Sequence, residues 1–353
     1  CELRTWGGNL ISYPFLSAFT MRQISETSRG FFLSEWNIRE KTLKNLAAKT
    51  YIQLVTRSRG LFAKYRIEFQ PAELLSPDLV LAPSNRSIRV FDYKTGVVGC
   101  IIKKGFTDKY FNQQLDFRRK NPYKFIPPLI AWGNCWFSEP ILYGHPLARI
   151  RDDDIYQKGM EDAALAIAEL VVNSLEYRDS IEYAKELNSN LIEGLVKARK
   201  TKHIKKAAEA ERIIKKLCGI LGNSRIRVPV ALSHGDLQTG NIWVDNERKT
   251  WIYDWETAGI RSVWYDMATL LLSTRRQGGL ERLWHQASVG EVSGLIIKSD
   301  ERKDYTALEM HQISAIVLME DIMFYMEDML ELPADYGSVL FDRYIDRLVA
   351  LGL

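Results

Sequence analysis

The sequence predicts an α+β fold of two lobes, a small antiparallel β lobe followed by a larger α-rich lobe, with a helical extension in front. Three observations predict it. Short β-rich runs follow one another between residues 79 and 140, helical periodicity dominates after residue 144, and helical spacing also covers residues 34–63. The expected boundaries are 1–75 for the N-terminal helical extension, 76–143 for the β lobe and 144–353 for the α-rich lobe.

The N-terminal extension is predicted to be helical. From Ser34 to about Ala63, apolar residues recur at spacings of three and four, which is the period of one face of an α-helix. We expect one or two amphipathic helices whose role is packing.

The β lobe is predicted from short apolar runs that are separated by turn residues. Lys94-Thr95-Gly96 forms a turn between two of the runs, and Gly133-Asn134 forms a turn between two others. A helix from Asp108 to Lys120 interrupts the series. Five strands are expected, at Leu79 to Ala82, Ser87 to Tyr93, Val97 to Lys103, Pro127 to Trp132 and Cys135 to Pro140.

The second lobe is predicted to be mostly helical. Helical periods cover residues 152–175, with an aspartate available as N-cap, and residues 181–217. One hairpin interrupts the helices, because two β-like runs, Asn241 to Val244 and Thr250 to Trp255, flank a polar turn.

Composition excludes several classes of protein. The 353 residues are 46% hydrophobic and 26% charged, and 48 basic against 44 acidic residues give a net charge of +4. So small a charge gives no reason to expect a nucleic-acid or membrane partner. The four cysteines form no C-x-x-C pair, and no apolar stretch reaches the roughly 20 residues of a spanning helix. We therefore expect a cytoplasmic protein without a disulfide framework, a cysteine zinc site or a transmembrane helix.

One polar run stands out in the second lobe. It reads His234-Gly-Asp-Leu-Gln-Thr-Gly-Asn241, and a strand ending in Tyr253-Asp-Trp-Glu256 follows it. Two glycines let the run turn back, so that Asp236 and Asn241 can face the same point, and the hairpin can return Asp254 beside them. None of the common P-loop, dinucleotide-binding, zinc-protease or serine-hydrolase motifs occurs.

These three side chains suit phosphoryl transfer, a reaction that depends on positioning and charge neutralisation. Asp236 can accept a hydroxyl proton, while Asn241 and Asp254 offer oxygen ligands for Mg²⁺. The plainer alternative is a capped turn followed by an ordinary hairpin.

The run HGDLQTGNIW and the strand IYDWE resemble the aminoglycoside phosphotransferase and choline kinase superfamily. The resemblance implies a two-lobed, protein-kinase-like fold. It also implies that Asp236 is the catalytic base and that Asn241 and Asp254 bind the metal.

Two neighbours of the run are expected to support it. Tyr265-Asp266-Met267-Ala268 resembles the family segment whose aspartate buttresses the catalytic loop, which implies that role for Asp266. His234 is expected to brace the loop by hydrogen bonds, since the adjacent aspartate already fills the role of base.

The resemblance further implies a nucleotide site in the β lobe. Lys103 is expected to contact the phosphates, with Lys104 as the alternative if the strand register differs by one. The segment from Ile126 to Leu147 resembles the family's hinge, in which the carbonyl of Glu139 and the N–H of Ile141 would bond adenine.

The chain departs from the family pattern in the same lobe. The family usually places a glutamate on the helix after the lysine, but no glutamate occurs between Gly105 and Ser138. Asp116 is the nearest carboxylate, and Gln113 and Gln114 are neutral candidates. The expected phosphate-covering loop, residues 83–87, contains no glycine.

Candidate substrate residues occur in two places. Trp255 and Glu256 adjoin the metal-binding aspartate, while Glu320, Phe324 and Glu327 place acids and an aromatic ring on one helix, as a pocket for a cationic amine requires. The alternatives are core packing for the tryptophan and a solvated acidic face for the helix.

The sequence therefore predicts a small-molecule kinase with ATP and Mg²⁺ as cofactors. It would move the γ-phosphoryl group to a hydroxyl of an amino sugar, an aminoglycoside-like compound or an amino alcohol. The alternatives are a nucleotide-binding regulatory pseudokinase and a protein kinase that acts on a partner. The oligomeric state is left open.

Overall fold

The computed structural model describes residues 10–12, 18–35, 43–67, 76–84, 86–104, 106, 109–201, 204–221, 227–276, 278–285, 310–332 and 334–353. The chain divides into two compact units. Unit 1 is Cys1–Met160 with Ile242–Tyr253, and unit 2 is Glu161–Asn241 with Asp254–Leu353. The hairpin after the polar run thus groups with the β-rich part of the chain. Domain boundaries at residues 75 and 143 stay a prediction.

An antiparallel sheet of eight strands dominates unit 1. The strands follow one another in the order β3-β1-β2-β4-β5-β6-β8-β7. Their bounds are β1 Leu10–Ser12, β2 Phe19–Met21, β3 Tyr65–Ile67, β4 Leu79–Pro83, β5 Ser87–Asp92, β6 Val97–Ile102, β7 Ala131–Gly133 and β8 Trp136–Pro140.

The N-terminal extension is not only helical, and the prediction is corrected on this point. Helices α1 (Glu26–Glu35) and α2 (Leu43–Arg57) are present, but β1, β2 and β3 extend the sheet beside them. Each of these strands has only three residues, which is too short to display the alternation by which a strand is recognised. Buried Ile11, Ile52 and Val80 pack in one cluster that joins the helices to the sheet.

The turn between β5 and β6 forms where the sequence predicts it. Asp92 accepts hydrogen bonds at one carboxylate oxygen from the backbone N–H of Lys94 at 3.0 Å and at the other from the Thr95 hydroxyl at 2.8 Å. Gly96 follows with a φ of +71°, a conformation that favours glycine. These contacts fix the register of the two strands.

Helix α3 (Lys109–Lys120) covers one part of the sheet, close to its predicted bounds. Phe111 and Leu115 on the helix pack against Cys100 on β6 and Phe137 on β8. The helix therefore lies over the strands that carry the predicted nucleotide residues.

A second, three-stranded sheet in unit 1 has the order β13-β12-β9. Its strands are β9 (Gly144–Pro146), β12 (Ile242–Asp245) and β13 (Thr250–Ile252). A Cβ at Gly144 would lie 2.1 Å from the carbonyl oxygen of Val244, so only glycine lets the backbones approach this closely. The predicted hairpin is thus present and is extended by β9.

Unit 2 is mostly helical, and the predicted α+β class is confirmed. Its small sheet has the order β10 (Glu176–Asp179), β11 (Arg227–Ser233), β14 (Gly259–Ser262). Helix α9 (Met310–Glu331) packs against α5 (Ser180–Thr201), α6 (Ala207–Leu221) and α10 (Ala334–Ala350). The remaining helices are α4 Asp153–Ser174, α7 Tyr265–Leu271 and α8 Gly279–His285.

No helix in the described part of the chain is both long and apolar enough to span a membrane.

Candidate active site

The polar run from His234 to Asn241 forms an irregular loop between β11 and β12. Gly235 has a φ of +85°, and a Cβ there would lie 2.4 Å from the carbonyl oxygen of Thr257. Both its dihedral angle and its close contact require glycine. The loop is therefore tightly packed immediately before Asp236.

Asp266, at the start of α7, is hydrogen-bonded to the backbone of the loop. Its carboxylate accepts hydrogen bonds from the backbone N–H groups of His234 at 2.6 Å and Gly235 at 3.0 Å. His234 is fully buried, and its Nδ1 accepts a hydrogen bond from the backbone N–H of Asp236 at 3.2 Å. Its ring also packs on Trp255, with centroids 4.6 Å apart. These contacts fix the backbone that carries Asp236.

The carboxylate of Asp236 is surrounded by donors. Gln238 Nε2 lies 2.9 Å from each oxygen, and Asn241 Nδ2 lies 3.3 Å from Oδ2 and 2.8 Å from the backbone carbonyl of Asp236. Arg275 Nε lies 3.2 Å from Oδ1. Because a carboxylate has about four acceptor positions, an incoming hydroxyl has to replace one of these donors. Gln238, which shares one nitrogen between both oxygens, is the easiest to replace.

Arg275 is the residue of this site that sequence reasoning missed. It is 7% exposed and also pairs with Asp321, and its Nη2 donates to the Tyr265 hydroxyl at 2.8 Å. Arg275 belongs to no motif, and 39 positions of sequence separate it from Asp236. Only the fold brings the two residues together.

Asn241 and Asp254 are suited to a divalent ion. Nδ2 of Asn241 makes both of its contacts to Asp236, which leaves the amide oxygen for a metal. Asp254 adopts a left-handed backbone (φ +67°, ψ +55°), which is uncommon outside glycine and typical of functional sites. Its carboxylate forms no hydrogen bond or ion pair with any residue that the structure describes.

The described parts of residues 10–285 and 310–353 contain no cluster of three or more His, Cys, Asp or Glu side chains that could hold a metal. The protein ligands considered for the ion are therefore one amide oxygen, from Asn241, and one carboxylate, from Asp254. An amide oxygen and a carboxylate suit Mg²⁺, which keeps several waters and takes its other ligands from phosphate. The residues present therefore fit the predicted ion.

In unit 1, Lys103 donates to the backbone carbonyl of Ser84, in the expected phosphate-covering loop; Asn85 of that loop lies outside the described residues. Asp116 is not its partner, because the Asp116 side chain is 59% exposed and faces Arg119 at 3.9 Å.

The buried ion pair of this region joins Arg118 on α3 to Glu139 on β8, with Nη2 and Oε2 2.6 Å apart. In this pair the helix carries the cation and the strand carries the anion.

The structure contradicts the predicted adenine contact of Ile141. Its N–H donates to the carbonyl of Gly96 at 2.8 Å. In the register of β6 and β8, Glu139 lies opposite Val98. Hydrogen-bonded pairs recur at every second residue of an antiparallel ladder, and Ile141 with Gly96 is such a pair. The carbonyl of Glu139, two residues earlier, therefore also points towards β6. Both groups are used in the sheet, and the strand register, which cannot be read from sequence, is the reason.

The structure also corrects two substrate candidates. Trp255 is 1% exposed in the core, and Glu320 is 3% exposed. Glu320 accepts hydrogen bonds from the Tyr183 hydroxyl and from both the N–H and hydroxyl of Ser262, each at 2.6 Å. Burial raises the pKa of the Glu320 carboxyl, and the Ser262 and Tyr183 hydrogen bonds oppose that rise. Both side chains are therefore structural.

The other substrate candidates are partly exposed. Phe324 covers the guanidinium of Arg275, 3.9 Å from the ring centroid. Glu256 and Glu327 are half-buried and interact with other groups. A role for these three residues in substrate binding stays a prediction.

A family model covers the part of the chain that contains the loop from His234 to Asn241. Residues 144–293 match the model of the phosphotransferase enzyme family, APH. The sequence-based predictions of the family and of a small-molecule kinase are thus confirmed. No curated protein matches the chain in sequence.

Solved phosphotransferase structures share the fold, so the predicted kinase-like architecture is confirmed. A thermostable mutant of aminoglycoside phosphotransferase APH(4)-Ia, solved as a ternary complex with AMP-PNP and hygromycin B, is 12% identical, with a TM-score of 0.52 over 78% of this chain and 94% of that one. A choline/ethanolamine kinase family protein from Mesorhizobium loti is 13% identical, with a TM-score of 0.49 over 77% and 87% of the two chains.

Proposed function

We propose that this phosphotransferase moves the γ-phosphoryl group of ATP to a hydroxyl of a small molecule, with Asp236 as the base and Mg²⁺ held by Asn241 and Asp254. The observation that carries the proposal is the joint placement of Asp236 and Asn241. The Asn241 amide donates to Asp236 and keeps its oxygen for the metal. The AMP-PNP bound in a structural neighbour supports ATP as the donor.

The residues divide the work of the reaction. Asp266 and His234 fix the loop, so that Asp236 meets the acceptor hydroxyl in one orientation. As the hydroxyl displaces Gln238, Asp236 orients it and takes its proton when the oxygen bonds to the γ-phosphorus. The bond from the γ-phosphorus to the bridging oxygen breaks in the same transfer, and ADP is the leaving group. Mg²⁺, when bound, neutralises charge on the nucleotide phosphates.

The acceptor is proposed to be an amino sugar, an aminoglycoside-like compound or an amino alcohol. The ternary complex of the neighbour APH(4)-Ia contains hygromycin B, and this supports the proposal of an aminoglycoside-like acceptor. With Glu320 buried and bonded in the core, recognition of the amine falls to Glu256 and Glu327 in this proposal.

The test is ATP consumption with a panel of aminoglycosides, amino sugars and amino alcohols, in the presence of Mg²⁺. We expect ADP formation with at least one acceptor, a new phosphate monoester in its ³¹P NMR spectrum, and loss of both when Mg²⁺ is chelated. Asp254→Ala is the matched inactive control. Radiolabel from ATP that appears in protein instead would contradict the small-molecule acceptor and indicate a protein kinase.

A second candidate function, a nucleotide-binding regulatory protein, is favoured by one observation. No glutamate occurs between Gly105 and Ser138, so the chain lacks the carboxylate that the family usually places on the helix after the lysine. Nucleotide binding without ADP formation across the whole panel would support this candidate over the kinase.

A further inference from the structure

Arg275 lies at the centre of a network beneath the catalytic loop. Its Nε donates to Asp236 Oδ1 at 3.2 Å, its Nη1 pairs with Asp321 Oδ1, and its Nη2 reaches the Tyr265 hydroxyl at 2.8 Å and the carbonyl of Gly235 at 3.4 Å. One guanidinium thus contacts the proposed base, its backbone neighbour and two residues of the helical core. These contacts involve all three nitrogens of the guanidinium.

The position of Arg275 is fixed from outside the network. Arg347 Nη2 donates to the carbonyls of Thr274 at 3.2 Å and Arg276 at 2.8 Å, the residues on either side of Arg275. Phe324 covers the face of the guanidinium at 3.9 Å. The backbone and the plane of the side chain are both held, so the direction of Nε is held as well.

The two carboxylates that contact Arg275 differ in how far they are buried. The side chain of Asp321 is 2% exposed and that of Asp236 is 21% exposed. A buried guanidinium requires a counter-ion, and Asp321, inside the core, is the permanent one. Asp236 is therefore held by Arg275 without being needed to neutralise it.

This arrangement leaves the Asp236 carboxylate available to a substrate hydroxyl. A buried arginine with Asp236 as its one partner would need that carboxylate for charge compensation. Arg275 has that compensation from Asp321, so its contact to Asp236 can serve to orient the carboxylate.

We propose that Arg275 is a positioning residue for Asp236, and that Asp321 acts through it as its permanent counter-ion. The proposal rests on the proposed function, because it concerns the base of that reaction. A positioning role differs from a purely structural role in its effect on the reaction. The contact from Arg275 Nε to Asp236 Oδ1 affects the rate of phosphoryl transfer and does not affect the affinity for nucleotide.

The test compares Arg275→Ala with Arg347→Ala, using ATP, Mg²⁺ and the acceptor that gives wild type its highest rate. Arg347→Ala is the comparison variant, because it loosens the backbone beside Arg275 and keeps the guanidinium that contacts Asp236, so we expect a smaller fall in kcat than for Arg275→Ala. We expect kcat of Arg275→Ala to fall about 100-fold, the cost of a misplaced group, while the Kd for ATP by calorimetry is unchanged. Guanidinium ion at millimolar concentration should restore part of that kcat, and should have no effect on Arg347→Ala.

The isosteric variant Asp321→Asn keeps the test decisive if Arg275→Ala fails to fold. We expect it to lower kcat with an unchanged Kd for ATP, because Arg275 then has Asp236 as its one described carboxylate partner.

The result that overturns the inference is wild-type kcat in Arg275→Ala or Asp321→Asn. Equal losses in Arg275→Ala and Arg347→Ala without guanidinium rescue overturn it too. An inactive wild type in the same assay overturns the proposed function itself, so the two failures are distinguishable.

Discussion

At the scale of single residues, the site depends on backbone positions that accept very few side chains. Gly235 immediately precedes Asp236 and combines a positive φ with a contact to the Thr257 carbonyl. Five positions later, Gly240 has nothing within 4 Å of where its Cβ would lie. The loop thus contains a glycine that the geometry requires and one that it does not.

This contrast gives a prediction for the two glycines. Gly235→Ala should lower the free energy of unfolding by about 1–3 kcal/mol, the range for a strained backbone position, and should remove most of the phosphotransfer activity. Gly240→Ala, the control, should change each much less. Urea denaturation and kcat measure both effects, and an alanine at 235 that leaves stability unchanged would contradict the geometry of the loop.

The carboxylate of Asp266 is the second requirement at this scale, because it accepts two backbone N–H groups of the catalytic loop. Asp266→Ala leaves both donors buried without an acceptor, at a cost of about 1–3 kcal/mol for each group. We expect a lower midpoint of thermal unfolding and a lower kcat. A variant with wild-type stability and kcat would show that the loop is held by other contacts.

At the scale of elements, helix α3 is joined to strand β8 by the buried pair of Arg118 and Glu139. Arg118 also donates to the carbonyl of Pro127 at 2.6 Å and lies over the ring of Phe137 at 5.0 Å. Neither Arg118 Nε nor Glu139 Oε2 has a well-aligned hydrogen bond to the described residues. The pair is therefore held by charge and packing more than by directed hydrogen bonds.

Breaking this pair from one side should be costly. Arg118→Leu leaves the Glu139 carboxylate buried without its cation, and we expect a loss of about 3–5 kcal/mol in unfolding free energy. The double variant Arg118→Leu with Glu139→Leu should recover most of that loss. Arg119→Leu at the exposed neighbouring position is the control, with an expected change within about 1 kcal/mol. A double variant no more stable than Arg118→Leu would contradict the assignment.

At the scale of the whole molecule, the buried carboxyl of Glu320 makes stability depend on pH. Burial raises its pKa above the ordinary value of 4.5 in the folded protein, against the opposing hydrogen bonds of Ser262 and Tyr183. Between 4.5 and the raised value the folded chain binds more protons than the unfolded chain. The contribution of Glu320 to the free energy of unfolding is therefore fully present below pH 4.5 and is lost as pH rises through the raised pKa.

Glu320→Gln should remove this dependence. The amide retains acceptor and donor positions for Ser262 and Tyr183, so the variant should fold. Urea denaturation over a series of pH values should show a smaller decline above pH 4.5 in Glu320→Gln than in wild type. The exposed Glu193→Gln is the control. Parallel curves for wild type and Glu320→Gln would contradict the pKa shift.

Sequence predicted the parts of the molecule whose interactions are local. The loop from His234 to Asn241 was predictable because its residues lie within eight positions, and the β5–β6 turn because Asp92 and Gly96 determine it locally. Arg275 was not, since it contacts residues 39 and 46 positions away.

The remaining differences also arise from the tertiary fold. The predicted adenine contact of Ile141 fails because the direction of its N–H depends on strand register, which is set by partners elsewhere in the sheet. The prediction that Glu320 binds substrate fails because an acidic residue beside aromatics looks the same in sequence whether it lies in a pocket or in the core. Three-residue strands near the N-terminus carry no periodic signal at all.

The central claim is that the carboxylate of Asp236 is the base of a phosphoryl transfer. Asp236→Asn tests it most directly, because the amide keeps the size of the side chain and removes its basicity. The measurement is single-turnover phosphate transfer from ATP, with ATP affinity determined on the same sample. We expect transfer to be lost while nucleotide affinity stays close to that of wild type. Transfer at the wild-type rate in Asp236→Asn would contradict it.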